Sequence, residues 1–582
     1  MKLQSVSGIT AFVALASAKP IAHHDLPVAT VKNGTYTGVH STSYNQDFFL
    51  GMPYAQPPVD NLRFRTPQSL NTTWSGKKPA DTYSDACVGY GTDDSAYKTS
   101  EDCLYLNIVR PSHTSEKLPV LVWIHGGGLI EGSAVDQRYN LSFIVQHSEA
   151  IGKPIIGVSL NYRLGVLGFL NSLEIADSGD TNVGLKDQRL ALNWIHENIH
   201  GFGGDPTRVT IWGESAGAFS VGFHLTAFGG RDDGLFRGAI MDSGSPIFYR
   251  PVFPPQHFQS SYDQLLNVTG CNSSADSLQC LRHLPIDNLN KIFSASPNLW
   301  AAFSPSDDGD FIQGSGADLL FSGKFVHVPI LTGTNTDEGT YFASQPPTPK
   351  NISTDAEFTS YLQEIQGLPA AFVQQVIKAY PDIPKEEGIP GVPTLPTDYR
   401  PGYPYGAQWR RVAAYLGDSV IIAHKRLTSQ IWTAAGLDVY SYRFDIIPAS
   451  IPDIFGVSHV QEIPFVFFNL EGVGYNKGNL SPWNGTQKPF ENKGADYVEA
   501  ARLMSSSWVS FVHDQDPNSF RKSDCSADKH SLPIWPPYSV GDKNGTNFVF
   551  ESKFQSHLEP DNFRFEAINL LTATTHTQTT SG

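Results

Sequence analysis

Residues 203–217 read Gly-Gly-Asp-Pro-Thr-Arg-Val-Thr-Ile-Trp-Gly-Glu-Ser-Ala-Gly, and this stretch limits the chain to very few local geometries. Arg208 to Trp212 is a short, largely apolar run suited to a buried strand, and Ala216 to Leu225 is rich in small and apolar residues suited to a helix. Between them, Gly-x-Ser-x-Gly has to turn the chain sharply, with glycines where any Cβ would strike the neighbouring strand or helix. A serine on such a turn exposes its hydroxyl at the tip of a sheet, which is the layout of a nucleophile elbow. Ser215 is therefore the first candidate for chemistry. Because Gly-x-Ser-x-Gly also recurs by chance, the strand before it and the helix after it carry the weight.

The same alternation continues along the chain. Leu118–Ile124, Ile155–Leu160, Arg208–Trp212, Arg237–Met241, Val328–Thr332 and Val439–Phe444 read as buried strands, and Leu185–Ile199, Ala356–Tyr380 and Gly494–Val512 read as helices. Such a pattern predicts an α/β fold with a large, mostly parallel central sheet covered by helices on both faces. Sites in such sheets lie outside the carboxyl ends of the strands, where Ser215 falls. Residues 382–404 are rich in Pro and Gly and predict a surface excursion within a cap region, and residues 572–582 predict a disordered tail.

A net charge of −16 argues against a nucleic-acid partner or an anionic membrane surface, both of which call for basic patches. Residues 1–18 combine Lys2, an apolar run from Gly8 to Leu15 and Ala16-Ser17-Ala18, which predicts a secretory signal cleaved after Ala18. That run is too short to span a bilayer, and no other reaches its length. The expected mature protein, residues 19–582, is soluble, extracellular and one domain. Nine Asn-x-Ser/Thr sequons, at Asn33, Asn71, Asn140, Asn267, Asn272, Asn351, Asn479, Asn484 and Asn544, fit that compartment and predict a glycoprotein. Five cysteines suggest two disulfides and one leftover thiol. Proximity pairs Cys87 with Cys103 and Cys271 with Cys280, each worth about 2 to 4 kcal/mol, and leaves Cys525 over; other pairings stay open.

A serine nucleophile needs donors where the tetrahedral oxygen will carry charge. His125-Gly126-Gly127-Gly128 follows the strand ending at Ile124, where three glycines let backbone amides turn inward without side-chain obstruction. His125 itself reads as a loop-orienting residue.

Glu101-Asp102-Cys103-Leu104-Tyr105-Leu106-Asn107 and the Phe202–Gly217 stretch together resemble the two signatures of the type-B carboxylesterase/lipase family, which includes cholinesterases and secreted fungal lipases. Further matches spread over most of the chain: residues 51–58 and 63–65, Asn161-Tyr162-Arg163-Leu164-Gly165, residues 182–188 and Trp535-Pro536-Pro537-Tyr538. The resemblance implies an α/β-hydrolase fold with cap insertions and a serine carboxylic-ester hydrolase without a cofactor or metal. It implies an oxyanion hole from the amides of Gly127, Gly128 and Ala216, and an acid in Gly333-Thr334-Asn335-Thr336-Asp337-Glu338-Gly339, where Glu338 takes the role and Asp337 remains open. The histidine should follow the acid in chain order. His424 and His513 fall in helix-like segments and His530 in a polar stretch, whereas His459, in Gly-Val-Ser-His-Val-Gln-Glu, matches the family's histidine motif. The rate should then fall as His459 becomes protonated, around a reference value of about 6.5. Arg63 with Glu101 and Arg163 with Asp187 are expected as buried ion pairs, Ser243 as a support of the triad, and Glu214 either as a tuning charge near His459 or as a surface residue.

The family keeps a choline-binding tryptophan or a long apolar lid in the loop between Cys87 and Cys103. Here that loop is short, polar and without Trp. This argues against choline esters and against strong interfacial activation, leaving a general carboxylesterase as the first reading and a triacylglycerol lipase or sterol esterase as the second. Pocket walls are expected from Ile247–Phe258 and Trp300–Phe311. A non-catalytic adhesion module on the same fold is the competing class, disfavoured because Ser215, His459, an acidic partner and the triple glycine are all kept. A metallohydrolase lacks a ligand cluster at metal spacing, and no phosphate-binding or dinucleotide loop is present.

Overall fold

Seven parallel strands form the centre of an eleven-stranded sheet and bring the carboxyl ends of the strands to one edge. In chain order the strands are β1 (Val39–Ser41), β2 (Gln46–Pro53), β3 (Tyr105–Pro111), β4 (Leu118–Ile124), β5 (Ile156–Leu160), β6 (Gly204–Glu214), β7 (Gly238–Asp242), β8 (Ile330–Asn335), β9 (Val439–Asp445), β10 (Thr546–Glu551) and β11 (His557–Pro560). Their order across the sheet is β11-β10-β9-β8-β7-β6-β4-β5-β3-β2-β1, with β1, β2, β3 and β11 antiparallel at the edges. The fold is that of an α/β-hydrolase. The structure is a computed structural model and describes residues 26–91, 97–112, 117–345, 348–349, 351–382, 400–449, 451–475, 488–522, 532–539 and 545–575.

The central strands are apolar on both faces because both faces are covered. On β4, Val120, Val122 and Ile124 join one core with Leu185, Leu192 and Ile195 of α1 (Val183–Asn198) and Val221 and Leu225 of α2 (Ala216–Gly230). Leu121 and Trp123 point the other way, as the two-residue period requires, into a core with Trp212, Leu331 and Phe467 and with Leu503, Met504 and Trp508 from Ala495–Asp514. Trp123 and Trp212 sit opposite each other in register with ring centroids 4.4 Å apart.

All six strands read from the sequence are present, Leu118–Ile124 with the expected ends and the others with shifted ones; β6 extends back to Gly204 and on to Glu214. The single helix expected over Ala356–Tyr380 is instead Asp355–Ser360, one π turn over Tyr361–Ile365 and a new helix Ala370–Ala379. Gly367, at φ +67°, and Pro369, just before the second helix, interrupt an apolar pattern that otherwise continues. Of the tail expected to be disordered from Thr572, residues up to Thr575 continue the last helix, Phe565–Thr575, because Ile568 and Leu571 anchor it in a third core. The predicted signal segment, Cys525, Asn479, Asn484, Asn544, most of residues 382–404 and residues 576–582 lie outside the described residues. Both expected disulfides, Cys87–Cys103 and Cys271–Cys280, are formed. Among the described residues no helix is long and apolar enough to cross a membrane.

Candidate active site

Four strands end at the site. β6 delivers Ser215, β7 Ser243, β8 the loop with Glu338, and β4 the glycine loop. Ser215 adopts φ 54°, ψ −123°, a conformation an L-residue holds only when its surroundings enforce it. Its amide donates to the Asp242 carbonyl at 2.9 Å, and its carbonyl accepts from Phe219 to start the helix. The flanking glycines are required by close approach: a Cβ on Gly213 would lie 2.3 Å from the Gly217 carbonyl carbon, and one on Gly217 would lie 2.0 Å from the Ile124 oxygen.

His459 stands in a loop after the short turn Asp453–Phe455. Its Nε2 lies 2.8 Å from Ser215 Oγ and its Nδ1 lies 2.6 Å from Glu338 Oε2. The second oxygen of Glu338 accepts from Ser243 Oγ at 2.5 Å and from the Asn335 amide at 2.7 Å. Glu338 and His459 are buried, whereas Ser215 is partly exposed. Of the two adjacent carboxylates it is Glu338 that reaches the imidazole; Asp337 Oδ2 accepts instead from the Val457 amide at 2.8 Å. His424 is buried elsewhere, and burial holds its ring down to about 4; His513 pairs with Asp514, and His530 lies outside the described residues.

The glycine loop passes directly over the serine turn: a Cβ on Gly126 would lie 2.7 Å from the Glu214 carbonyl oxygen and 3.2 Å from Ser215 Cβ. Gly127 and Gly128 both need positive φ, 98° and 64°. Ala216 opens α2, so its amide is one of those a helix leaves without an internal partner. Among the described residues no hydrogen bond engages the amides of Gly127, Gly128 or Ala216. His125 supports the loop: its ring stacks on Tyr162 at 4.5 Å, the Tyr162 hydroxyl donates to the His125 carbonyl at 2.8 Å, and burial lowers the imidazole to about 4, keeping it neutral.

Several neighbours carry no clear sequence signal. The rings of Tyr341 and Phe342 lie 5.5 and 5.0 Å from that of His459; the only hint was a pair of aromatics close behind Asp337-Glu338-Gly339. Phe219, one turn beyond Ser215, packs against Phe248 and Tyr249 at 5.3 and 5.5 Å, so part of Ile247–Phe258 does reach the helix that follows Ser215. Phe311, from the other expected wall segment, packs farther along α2, on His224 and Phe228.

Glu214 is not a surface residue. It is 1% exposed, with Oε1 3.3 Å from His459 Nε2. Burial, then the charges of Glu338 and Asp242, push its carboxyl well above the usual range. Burial, then Glu214, Asp242 and Glu338, do the same to Glu462. Asp242 is raised to about 7 by burial, against the opposing effect of Trp212 Nε1 at 2.6 Å and the Tyr442 hydroxyl at 2.9 Å. The expected ion pairs are formed and buried, Arg63 with Glu101 at 2.5 Å and Arg163 with Asp187 at 2.7 Å. Among the described residues no group of three or more His, Cys, Asp or Glu side chains is arranged to hold a metal ion.

Residues 25–566 match the carboxylesterase family. The chain is 33% identical to Secreted lipase 1 of Botryotinia fuckeliana over 98% of its own length and 99% of that protein's. It is 32% identical to Lipase 4 of Diutina rugosa, covering 92% of this chain and 94% of that one. The crystal structure of EstA from Aspergillus niger superposes with a TM-score of 0.76 at 28% identity, covering 95% of this chain and 99% of EstA.

Proposed function

The chain belongs to the carboxylesterase family and is a carboxylic-ester hydrolase, and from that premise we propose that it cleaves esters through Ser215, His459 and Glu338 by way of an acyl-enzyme. The observation that carries this reading is the continuous line from Ser215 Oγ to His459 Nε2 at 2.8 Å and from Nδ1 to Glu338 at 2.6 Å, beside three unengaged amides. Neutral His459 takes the Ser215 proton as Oγ bonds to the ester carbonyl carbon. The amides of Gly127, Gly128 and Ala216 receive the negative oxygen of the tetrahedral intermediate. Glu338 holds Nδ1–H, fixing the tautomer and stabilising the imidazolium. The ring then passes its proton to the departing alkoxide as the C–O bond breaks. Water, deprotonated by the same imidazole, attacks the acyl carbon; Ser215 leaves with the proton returned, and the acid is released.

The substrate is a small-molecule ester, and we assign a general carboxylesterase specificity first. The short, polar loop between Cys87 and Cys103 supports it: Tyr90 is tied to the helix Ile286–Ala295 by a 2.9 Å hydrogen bond to Asn290 and an edge contact with Phe293. A triacylglycerol lipase is the second reading, favoured by the lipase relatives and by the aromatic cluster of Phe219, Phe248 and Tyr249. Secretion, through a signal over residues 1–18 and with residues 19–582 as one catalytic domain, is supported by a relative named a secreted lipase. A nitrophenyl-ester chain-length series run below and above the micelle concentration, with Ser215→Ala as the blank, tests the assignment. A short-chain optimum is expected; a jump in rate on long-chain micelles selects the lipase, and full activity in Ser215→Ala overturns the mechanism.

A further inference from the structure

Asn335 is the last residue of β8, fully buried, and its hydrogen bonds go to both of His459's neighbouring structures. Its backbone amide donates to Glu338 Oε1 at 2.7 Å. Its side-chain amide donates one hydrogen to the carbonyl of Ser458, the residue preceding His459, at 2.8 Å and the other to Glu462 Oε2, three residues beyond, at 2.6 Å. One residue thus grips the acid through its main chain and both sides of the histidine through its side chain. The side chain has only one sensible orientation, because the flipped amide would set its oxygen against the Ser458 carbonyl. Its own oxygen, Oδ1, has no partner among the described residues. An asparagine present only to satisfy buried groups would pair that oxygen; here the donors alone are used.

We propose that Asn335 is a positioning residue, setting the rotation and depth of the His459 ring relative to Glu338 and Ser215. Its neighbours complete the clamp between the two loops. Asp337 exchanges two backbone-level bonds with Val457, amide to carbonyl at 2.8 Å and carboxylate from amide at 2.8 Å. Thr340 Oγ1 meets the Phe455 carbonyl and Ser458 Oγ, each at 2.8 Å. Asn335 differs from them in bonding on both sides of the catalytic histidine. The inference rests on the role proposed for His459.

The test compares Asn335→Leu with wild type on a soluble short-chain nitrophenyl ester. Rates are normalised to sites counted by end-point fluorophosphonate labelling of Ser215, so that folding yield drops out. In Asn335→Leu, kcat per labelled site is expected to fall about ten- to hundredfold with KM changed less than about twofold, the size of loss that follows from small misplacement of a reacting group. The downfield Nδ1–H proton resonance of His459 should move or broaden. Asn198→Leu, which removes a buried asparagine at the C-terminal end of α1 bonded to the Trp194 carbonyl and the Lys32 amide, should lose thermal stability with kcat per labelled site unchanged. Wild-type kcat per labelled site in Asn335→Leu, with the Nδ1–H resonance unmoved, overturns the positioning role. Full activity in Ser215→Ala overturns instead the reading on which it rests.

Discussion

Glu214 Oε1 lies 3.3 Å from His459 Nε2, on the same ring nitrogen that meets Ser215 Oγ at 2.8 Å. Two groups therefore face one imidazole nitrogen, and the hydrogen bond there is the one with Ser215: Glu214 Oε1 has no hydrogen-bond partner among the described residues. Burial and the neighbouring acids push that carboxyl well above its usual range, which favours the uncharged acid. Glu214→Gln, an uncharged replacement of the same shape, is expected to keep kcat/KM within about tenfold of wild type, the scale of one altered neutral hydrogen bond. Steady-state kinetics at pH 7 checks this; a loss of several orders of magnitude would show that the ionised carboxylate is needed.

Ser243 Oγ donates to Glu338 at 2.5 Å, and the Asn335 amide is the other protein donor to that same carboxylate oxygen. A hydrogen bond to a charged group is worth about 1.5 to 3 kcal/mol. Ser243→Ala should lower kcat by roughly ten- to hundredfold, with little change in KM, because the loss falls on Glu338, the acid proposed to stabilise the imidazolium. Parallel loss of thermal stability without loss of kcat would assign Ser243 to folding alone.

Gly217 has no room for a methyl group, since the Cβ would lie 2.0 Å from the main-chain oxygen of Ile124. Neither side of that contact is a flexible side-chain end. Gly217→Ala is expected to destabilise the fold by about 3 kcal/mol or more, the upper range for overpacking, and to show as lost soluble yield and a lowered Tm. A variant with wild-type Tm would mean that helix and glycine loop can separate at no cost.

The parts of this molecule that announce themselves in sequence are those where backbone geometry forbids alternatives. The glycines around Ser215 and in residues 126–128 are steric necessities, and a necessity of that kind leaves a one-letter trace. The central strands are legible because burial on both faces leaves near-continuous apolar runs. The edge strands are not: β2 carries Gln, Asp, Gly and Pro, and β11 is mostly exposed. The break near Gly367 and Pro369 was overridden by an apolar pattern that resumes beyond it. Glu338 and Asp337 are chemically interchangeable on paper, and only the path of the loop decides which carboxylate points at His459 and which at Val457. Asn335 gave no signal of its own, and Glu214 could be read either as a tuning charge or as a surface residue, because a polar residue at a strand end is ordinary in sequence and its burial depends on elements hundreds of residues away.

Asp242 supplies a pH signature in stability. Its folded-state value is about 7, above the unfolded value of about 3.9, so the folded chain holds a proton that the unfolded chain releases. The stabilising contribution is therefore complete below about pH 3.9 and is lost as pH rises through about 7. Relative to Asp242→Asn, which cannot ionise, wild type should lose roughly 2 to 4 kcal/mol between pH 4.5 and pH 7.5. Urea unfolding of both proteins at the two pH values measures the difference; a pH-independent gap would show that Asp242 keeps one protonation state throughout.

The most direct test of the central claim is peptide mapping by mass spectrometry after reaction with a fluorophosphonate, alongside ester hydrolysis by Ser215→Ala. One adduct per chain, on Ser215, is expected, together with no adduct and a fall in kcat of about a millionfold in Ser215→Ala. An adduct on any other residue, or hydrolysis by Ser215→Ala near the wild-type rate, would contradict the claim that this hydroxyl, His459 and Glu338 carry out the reaction.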